Sequence, residues 1–360
     1  MDTITLLLFI TGVFLLVAGA EILVRGASRL AVTAGLSPLV VGLTVVAYGT
    51  SAPELAVSVQ SSYAGQADIA TGNVVGSNIA NILLILGSSA AVAPLIVSRQ
   101  LVRLDVPLMA GLSFLVLLMG LDGRLGKFDG IVLCIGAIAY TFFTVYQGRR
   151  ESQNSTEELT QAQRNRRSRQ GIKQIAPQLG LIIIGLGMLV LGANWLISGA
   201  VVLARTFGVS ELIIGLTIVA VGTSLPEIAT SIIAGIRGER DIAVGNAIGS
   251  NIFNILLVLG LSSLVAPNGV PIAKPALNFD LPVMIAVAVA CLPIFFTGYR
   301  IARWEGFLFL AYYAAYTMYL FLNATEHQAL AEFSIIMIVF VMPLTVVTLA
   351  ILAIRAVRKT

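Results

Sequence analysis

Two stretches of this chain, 173 residues apart, each place a carboxylate inside a run that is otherwise apolar enough to span a bilayer. The first is GLTVVAYGTSAPE at 42–54 and the second GLTIVAVGTSLPE at 215–227, identical at ten of thirteen positions. A charge near a bilayer midplane costs about 2.5–3.5 kcal/mol on insertion scales. A chain that accepts this cost twice, at corresponding places, must offset it with something bound or bonded there.

The surrounding sequence makes the membrane reading firm. Hydrophobic residues form 58% of the 360 and charged residues only 11%, against about 25% charged in average chains. The apolar runs have helical rather than β-barrel length. Spans are predicted at 3–24, 38–62, 68–95, 103–121, 128–147, 177–199, 210–236, 241–266, 279–298, 303–323 and 332–354, eleven in all. The first run follows only Met1 and Asp2 and lacks the basic stretch of a secretory signal, so it is expected to be a retained span. Cys134 and Cys291 each stand alone in an apolar run, which predicts free buried thiols. The single histidine, His327, falls in a predicted loop, so histidine-based metal binding is not expected.

The net charge of +4 is topological and does not point to nucleic acid. The segment 148–176 carries Arg149, Arg150, Arg164, Arg166, Arg167, Arg169 and Lys173 against three glutamates. The positive-inside rule places it in the cytoplasm, with the N-terminus outside and the C-terminus inside. Threaded through eleven spans, that choice leaves eighteen basic residues on the cytoplasmic side and four outside (Arg124, Lys127, Arg205 and Lys274). The expected location is a plasma membrane, the inner membrane of a bacterial cell.

The repeat extends beyond the acidic stretches. Residues 68–87 (DIATGNVVGSNIANILLILG) match 241–260 (DIAVGNAIGSNIFNILLVLG) at fifteen of twenty positions with the same offset. Gly19 and Ala20 match Gly192 and Ala193, and Asp105 and Pro107 match Asp280 and Pro282. The chain therefore divides into a five-helix repeat at 1–147, a basic linker at 148–176, a second five-helix repeat at 177–323, and an extra C-terminal helix and tail at 324–360. An odd number of spans per copy inverts the second copy in the membrane. Secondary transporters use such inverted repeats, with the substrate site between them near the midplane. The predicted fold class is an all-α polytopic membrane protein of two inverted five-helix repeats plus one helix.

The repeated residues supply hard oxygen ligands. Glu54 and Glu227 lie inside spans, where ionisable groups are functional by default. Pro53 and Pro226 lack an amide hydrogen and break the helix, freeing carbonyls around 47–49 and 220–222. Thr50, Ser51, Thr223 and Ser224 add hydroxyls. Asn73, Ser77 and Asn81 share one helix face, as do Asn246, Ser250 and Asn254, and are expected to complete the cage. Asn78 and Asn251 fall off that face and are expected to bond between helices. Gly72 and Gly76, like Gly245 and Gly249, are small-xxx-small pairs expected to let helices approach closely. Asp68, Asp105, Asp129, Glu211, Asp241, Asp280 and Glu305 are expected as helix-start carboxylates. Carboxylate, carbonyl and hydroxyl oxygens suit Na⁺, Ca²⁺ or Mg²⁺. Two carboxylates balance one divalent or two monovalent cations, which is a physical basis for exchange.

GTSAPE and GTSLPE, each followed by GNxxGSNxxNI, resemble the two α-repeats of the Ca²⁺/cation antiporter superfamily, and most of all its prokaryotic sodium/calcium exchangers. The resemblance covers about 1–323. It implies a ten-helix exchanger core, alternating access, and a cation site built from Ala47, Thr50, Ser51, Glu54, Ser77 and Asn81 with Ala220, Thr223, Ser224, Glu227, Ser250 and Asn254. Some members carry an Asp at the position of Asn254, so this site has two acids rather than three, which leaves the ion ratio and any K⁺ or H⁺ dependence open. The linker is too short for the regulatory Ca²⁺-binding domains of animal exchangers. The expectation is a Ca²⁺/Na⁺ antiporter with no enzymatic activity, no cofactor, no nucleic-acid partner and no obligate protein partner. The alternatives are an H⁺/Ca²⁺ or K⁺-dependent exchanger, or a cation channel.

Overall fold

The computed structural model describes residues 3–154, 161–215, 218 and 220–357. Nearly all of them are helical. In the first half α1 (Thr3–Ala34) is followed by α2 (Pro38–Thr50) and α3 (Ala52–Tyr63), which meet at a 46° bend, and then by α4 (Asp68–Val92), α5 (Leu101–Asp122) and α6 (Lys127–Asn154). The second half repeats the order with α7 (Gln161–Thr206), α8 (Leu225–Ile236), α9 (Arg240–Val265), α10 (Ala276–Phe296) and α11 (Arg303–Ala324), and α12 (Leu330–Thr348) follows. Among the described residues nine helices are long and apolar enough to cross a membrane, or ten with the bent pair α2–α3 as one span. The remaining predicted span, 210–236, includes Leu216, Thr217 and Val219, which lie outside the described residues.

Several predicted boundaries move. The first helix continues ten residues past position 24, to Ala34. The described parts of 148–176 continue α6 and begin α7, while 155–160 lie outside the described residues. α12 packs at the periphery, where Tyr312 Oη donates to Thr345 Oγ1 at 2.7 Å, and none of its apolar window is fully buried.

The repeats embrace antiparallel. α1 and α7 cross with backbones almost touching: a Cβ at Gly12 would stand 2.8 Å from the Leu196 amide, one at Gly19 2.9 Å from the Gly185 carbonyl, and one at Gly192 2.8 Å from the Leu16 amide. These glycines recur every seven residues, and Gly12 pairs by the 173-residue offset with Gly185, as Gly19 does with Gly192. Only a side chain of one hydrogen permits this approach, and without a hydrophobic drive inside lipid such close packing is what holds helices together. A second close crossing joins Gly87 of α4 to Gly306 of α11, mirrored by Gly260 of α9 against Gly130 of α6.

Each end of the bundle carries one small two-stranded sheet that joins the halves. At one end β1 (Leu95–Ile96) pairs antiparallel with β4 (Arg300–Ile301), and at the other β2 (Arg124–Leu125) pairs with β3 (Val270–Pro271). On the β1–β4 end, Glu21 accepts from Arg25 at 2.5 Å and from Arg237 at 2.7 and 2.8 Å, tying α1 to the end of α8. Loops predicted to share a side of the membrane therefore meet on the same end. At the centre lie α4 and α9, the most enclosed spans, with 72% and 78% of their apolar windows buried.

Asp105 and Asp280 do not cap helix starts. Each ends a π-helical turn inside a span, Leu101–Asp105 and Ala276–Asp280, and accepts a hydrogen bond from a tyrosine of a neighbouring helix: Tyr140 at 3.1 Å and Tyr316 at 2.9 Å. Asp129 and Glu305 do cap, accepting from the amides of Gly126 and Ala302 at 2.8 and 2.7 Å.

The α1–α7 crossing makes a prediction. Gly192→Leu forces two backbones apart and is expected to destabilise by about 1–3 kcal/mol or more, whereas Gly187→Leu, where a Cβ meets nothing within 4 Å, is expected to be near neutral. Thermal unfolding of the two purified variants in detergent reads the difference.

Candidate functional site

The site lies where the two broken helices face α4 and α9. The backbone leaves helical geometry at Ser51 (φ −83°, ψ 8°) and at Ser224 (φ −87°, ψ 5°), and a new helix starts one residue later with Pro53 or Pro226 in its first turn. Proline is tolerated there because the first amides of a helix have no intrahelical partner anyway. The prolines thus begin new helices rather than kinking continuous ones. Glu54 and Glu227 follow immediately in those first turns, where unpaired amides and the helix dipole favour a carboxylate. Both glutamates are 1% exposed.

Hydroxyls from each repeat reach the carboxylate of the other. Ser51 Oγ donates to Glu227 Oε1 at 2.9 Å, and Ser224 Oγ stands 3.4 Å from Glu54 Oε1. Thr223 also interacts with Glu54, and Thr50 with Glu227. These crossed contacts obey the inversion relating the repeats, and they bring the two acids into one site. Helix α3 packs on the π-helical turn Asn254–Leu259, and α8 on its counterpart Asn81–Leu86. A π turn widens the helix where these asparagines sit, a distortion common at functional sites.

Five oxygens there are buried without a hydrogen-bond partner: Glu54 Oε2, Glu227 Oε2, Asn81 Oδ1, Asn254 Oδ1 and Ser250 Oγ. Each such group costs about 1–3 kcal/mol when left unsatisfied. Their concentration around two acids is therefore what a cation-coordinating cage looks like from its protein side. Ser77 Oγ donates to the Asn73 carbonyl, which turns its lone pairs outward. The Ala47 carbonyl accepts from the Ser51 amide at 3.0 Å and from Thr50 Oγ1 at 3.4 Å. Ala220 belongs to the helical turn Ala220–Gly222, and its side chain lies outside the described residues. The structure thus brings Thr50, Ser51, Thr223 and Ser224 to the two glutamates and packs the glutamate helices on the turns that begin at Asn81 and Asn254, while Ser77 and Ser250 lie one helical turn before those asparagines. Among the described residues no three His, Cys, Asp or Glu side chains cluster for a metal.

Two members of the predicted cage do something else. Asn246 donates to the Glu227 carbonyl at 3.4 Å and to Ser231 Oγ at 3.0 Å, while its Oδ1 accepts from Thr50 Oγ1 at 3.0 Å. Asn73 likewise donates to the Glu54 carbonyl at 3.2 Å and to Ser58 Oγ at 2.9 Å. They brace the glutamate-bearing helices. Ser58 and Ser231 were not singled out in the sequence, although each sits one helical turn after its glutamate and so shares its face.

The halves differ in how tightly they close. Gly42, Gly245 and Gly249 are buried, and a Cβ at Gly249 would stand 2.6 Å from the Leu43 carbonyl. Their counterparts Gly215 and Gly72 are exposed, and a Cβ at Gly72 or Gly76 meets no described atom within 4 Å. Among the described residues the close approach expected of both glycine pairs is found at the second pair; Leu216, Thr217 and Val219, beside Gly215, lie outside them.

A helical membrane protein with inverted halves closing on a shared pair of intramembrane acids has the architecture of a secondary transporter. The comparisons agree. The family described as sodium/calcium exchanger protein matches residues 4–146 and 177–322, and the chain belongs to that family. It is 40% identical over 247 residues to the inner membrane protein YrbG of Escherichia coli, covering 68% of this chain and 74% of that one. It is 34% identical over 310 residues to the sodium/calcium exchanger MaX1 of Methanosarcina acetivorans, covering 77% and 87%. The solved structure of the sodium-calcium exchanger NCX_Mj, soaked with Na⁺ and Ca²⁺, superposes with a TM-score of 0.73 at 33% identity, covering 87% of this chain and 97% of that one.

The unequal closure predicts unequal costs. Asn246→Leu removes bonds in a fully buried place and should destabilise by about 1–3 kcal/mol. Asn73→Leu, in the half-exposed copy, should cost less. Melting temperatures of the two variants in detergent test the order.

Proposed function

We propose that this protein is a secondary antiporter that exchanges Ca²⁺ for Na⁺ across the membrane by alternating access, moving Ca²⁺ outward as Na⁺ enters. The observation that carries the reading is the pair Glu54 and Glu227, buried together and surrounded by partnerless neutral oxygens. One Ca²⁺ or two Na⁺ neutralise both carboxylates. In a dry site the empty, doubly charged state is costly, so the protein crosses between its two conformations carrying one load or the other. Ca²⁺ and Na⁺ are the substrates in this reading, which is one of transport rather than catalysis.

Alternating access is supported by the unequal closure of the glycine pairs. Gly42, Gly245 and Gly249 are buried, whereas Gly72 and Gly215 are exposed. Inverted repeats reach the opposite state by exchanging these two packings. The distribution of arginines supports an orientation with the β1–β4 end, 148–176 and the C-terminus cytoplasmic and the N-terminus outside, in a bacterial-type inner membrane.

In proteoliposomes, a Na⁺ gradient is expected to drive uptake of radiolabelled Ca²⁺. Glu54→Gln or Glu227→Gln should lower that flux by well over about tenfold, since a lost charge–charge contact in a dry site exceeds the ~1.4 kcal/mol that makes a factor of ten. Ca²⁺ flux that ignores Na⁺ and follows a pH gradient would replace Na⁺ with H⁺ as the counter-ion, and single-channel currents would replace exchange with conduction.

A further inference from the structure

Asn78 and Asn251 are both buried, at 1% exposure, and both follow the serine of GSN in α4 and α9. Their side chains cross between the repeats. Asn78 Nδ2 lies 3.3 Å from the main-chain oxygen of Asn251, and Asn251 Nδ2 lies 3.2 Å from that of Asn78. A carbonyl only accepts, so the amide end turned toward it has to be the nitrogen. Weakly accepting sulfurs stand on the same side: Met284 Sδ at 3.7 Å from Asn78 Nδ2, and Met109 Sδ at 3.3 Å from Asn251 Nδ2.

The opposite end of each amide is then an oxygen, and a second asparagine meets it. Asn81 Nδ2 donates to Asn251 Oδ1 at 2.8 Å, and Asn254 Nδ2 donates to Asn78 Oδ1 at 3.2 Å. An oxygen acceptor requires a donor, so the nitrogens of Asn81 and Asn254 are committed. Their Oδ1 atoms are buried and are left without a hydrogen-bond partner. Starting from two main-chain carbonyls, the orientation of all four amides follows by elimination.

We propose that Asn78 and Asn251 are positioning residues for cation binding: each locks the amide of the opposite repeat's ligand, Asn254 or Asn81, with its oxygen toward the ion. The proposal rests on the antiporter reading above. Its chemical need is specific to a neutral ligand. A carboxylate presents like oxygens at both ends, whereas a flipped amide presents N–H donors to a cation and repels it. Asn81 and Asn254, both amides, make the lock necessary, and the crossing makes each half of the cage dependent on the other.

The test is a double-mutant cycle read as the Ca²⁺ dissociation constant of the purified full chain, by isothermal titration calorimetry without Na⁺. Asn251→Ala should weaken Ca²⁺ binding by about tenfold or more, the loss of roughly one oriented ligand. In an Asn81→Asp background, where the ligand has no wrong way round, the same substitution should change the constant by less than about twofold, since the coupled term is gone. If Asn251→Ala does not fold, Asn251→Leu keeps the volume and takes its place. The mirror cycle of Asn78→Ala with Asn254→Asp repeats the test independently. A purely structural role for Asn251 predicts equal losses in both backgrounds, and that result would overturn the positioning role alone. A wild-type protein that binds no Ca²⁺ overturns the antiporter reading and this inference together.

Discussion

The structure is organised by the need to keep two carboxylates out of water and close to one another. Glu54 and Glu227 are each set in the first turn of a short helix, where free amides partly offset the loss of solvent. Each then takes a hydroxyl from the other repeat: Ser224 for Glu54, Ser51 for Glu227. Breaking the helix just before the acid serves both ends, because it creates the helix N-terminus and puts the serine at the turn. Asn73 and Asn246 hold the carbonyls of these glutamates and so fix where the new helices start.

This exchange of contacts across the pseudo-twofold explains why the rest of the bundle is packed so closely. A hydroxyl can reach a carboxylate of the other half only if the two halves approach to backbone distance. The glycines of α1 and α7, and the pairs Gly87–Gly306 and Gly130–Gly260, provide that approach at the flanks. The small sheets at each end then register the halves against one another. In a bilayer, where apolar side chains gain little by leaving lipid for protein, this combination of close packing and buried hydrogen bonds takes the place of a hydrophobic core.

The symmetry is broken in one respect that bears on function. The second-half glycines Gly245 and Gly249 are pressed against α2, whereas a Cβ at Gly72 or Gly76 would meet none of the described residues within 4 Å. Nothing in the residues at these four positions distinguishes the pairs, since both are Gly-xxx-Gly. The difference belongs to the conformation adopted, and an inverted repeat can adopt its mirror image. On the proposed reading, that exchange is the transport step.

Much was legible in the chain itself. The long apolar runs and the doubled acidic motif are one-dimensional patterns, and they led to the all-helical membrane fold and to the sodium/calcium exchanger family. Helix periodicity alone put Ser77 and Asn81 on one face, with Ser250 and Asn254 on its counterpart. Tertiary structure decided what depends on partners from the other half. It turned Asn73 and Asn246 from ligands into braces. It made Asp105 and Asp280 acceptors for tyrosines rather than helix caps, and it showed Asn78 and Asn251 holding the amides of Asn254 and Asn81. It also separated one Gly-xxx-Gly pair from the other. The physical reason is common to all of these. An amide or carboxylate has several ways to satisfy its atoms, and which one it takes is set by the donor or acceptor that another helix brings within about 3 Å, which spacing along a single helix does not encode.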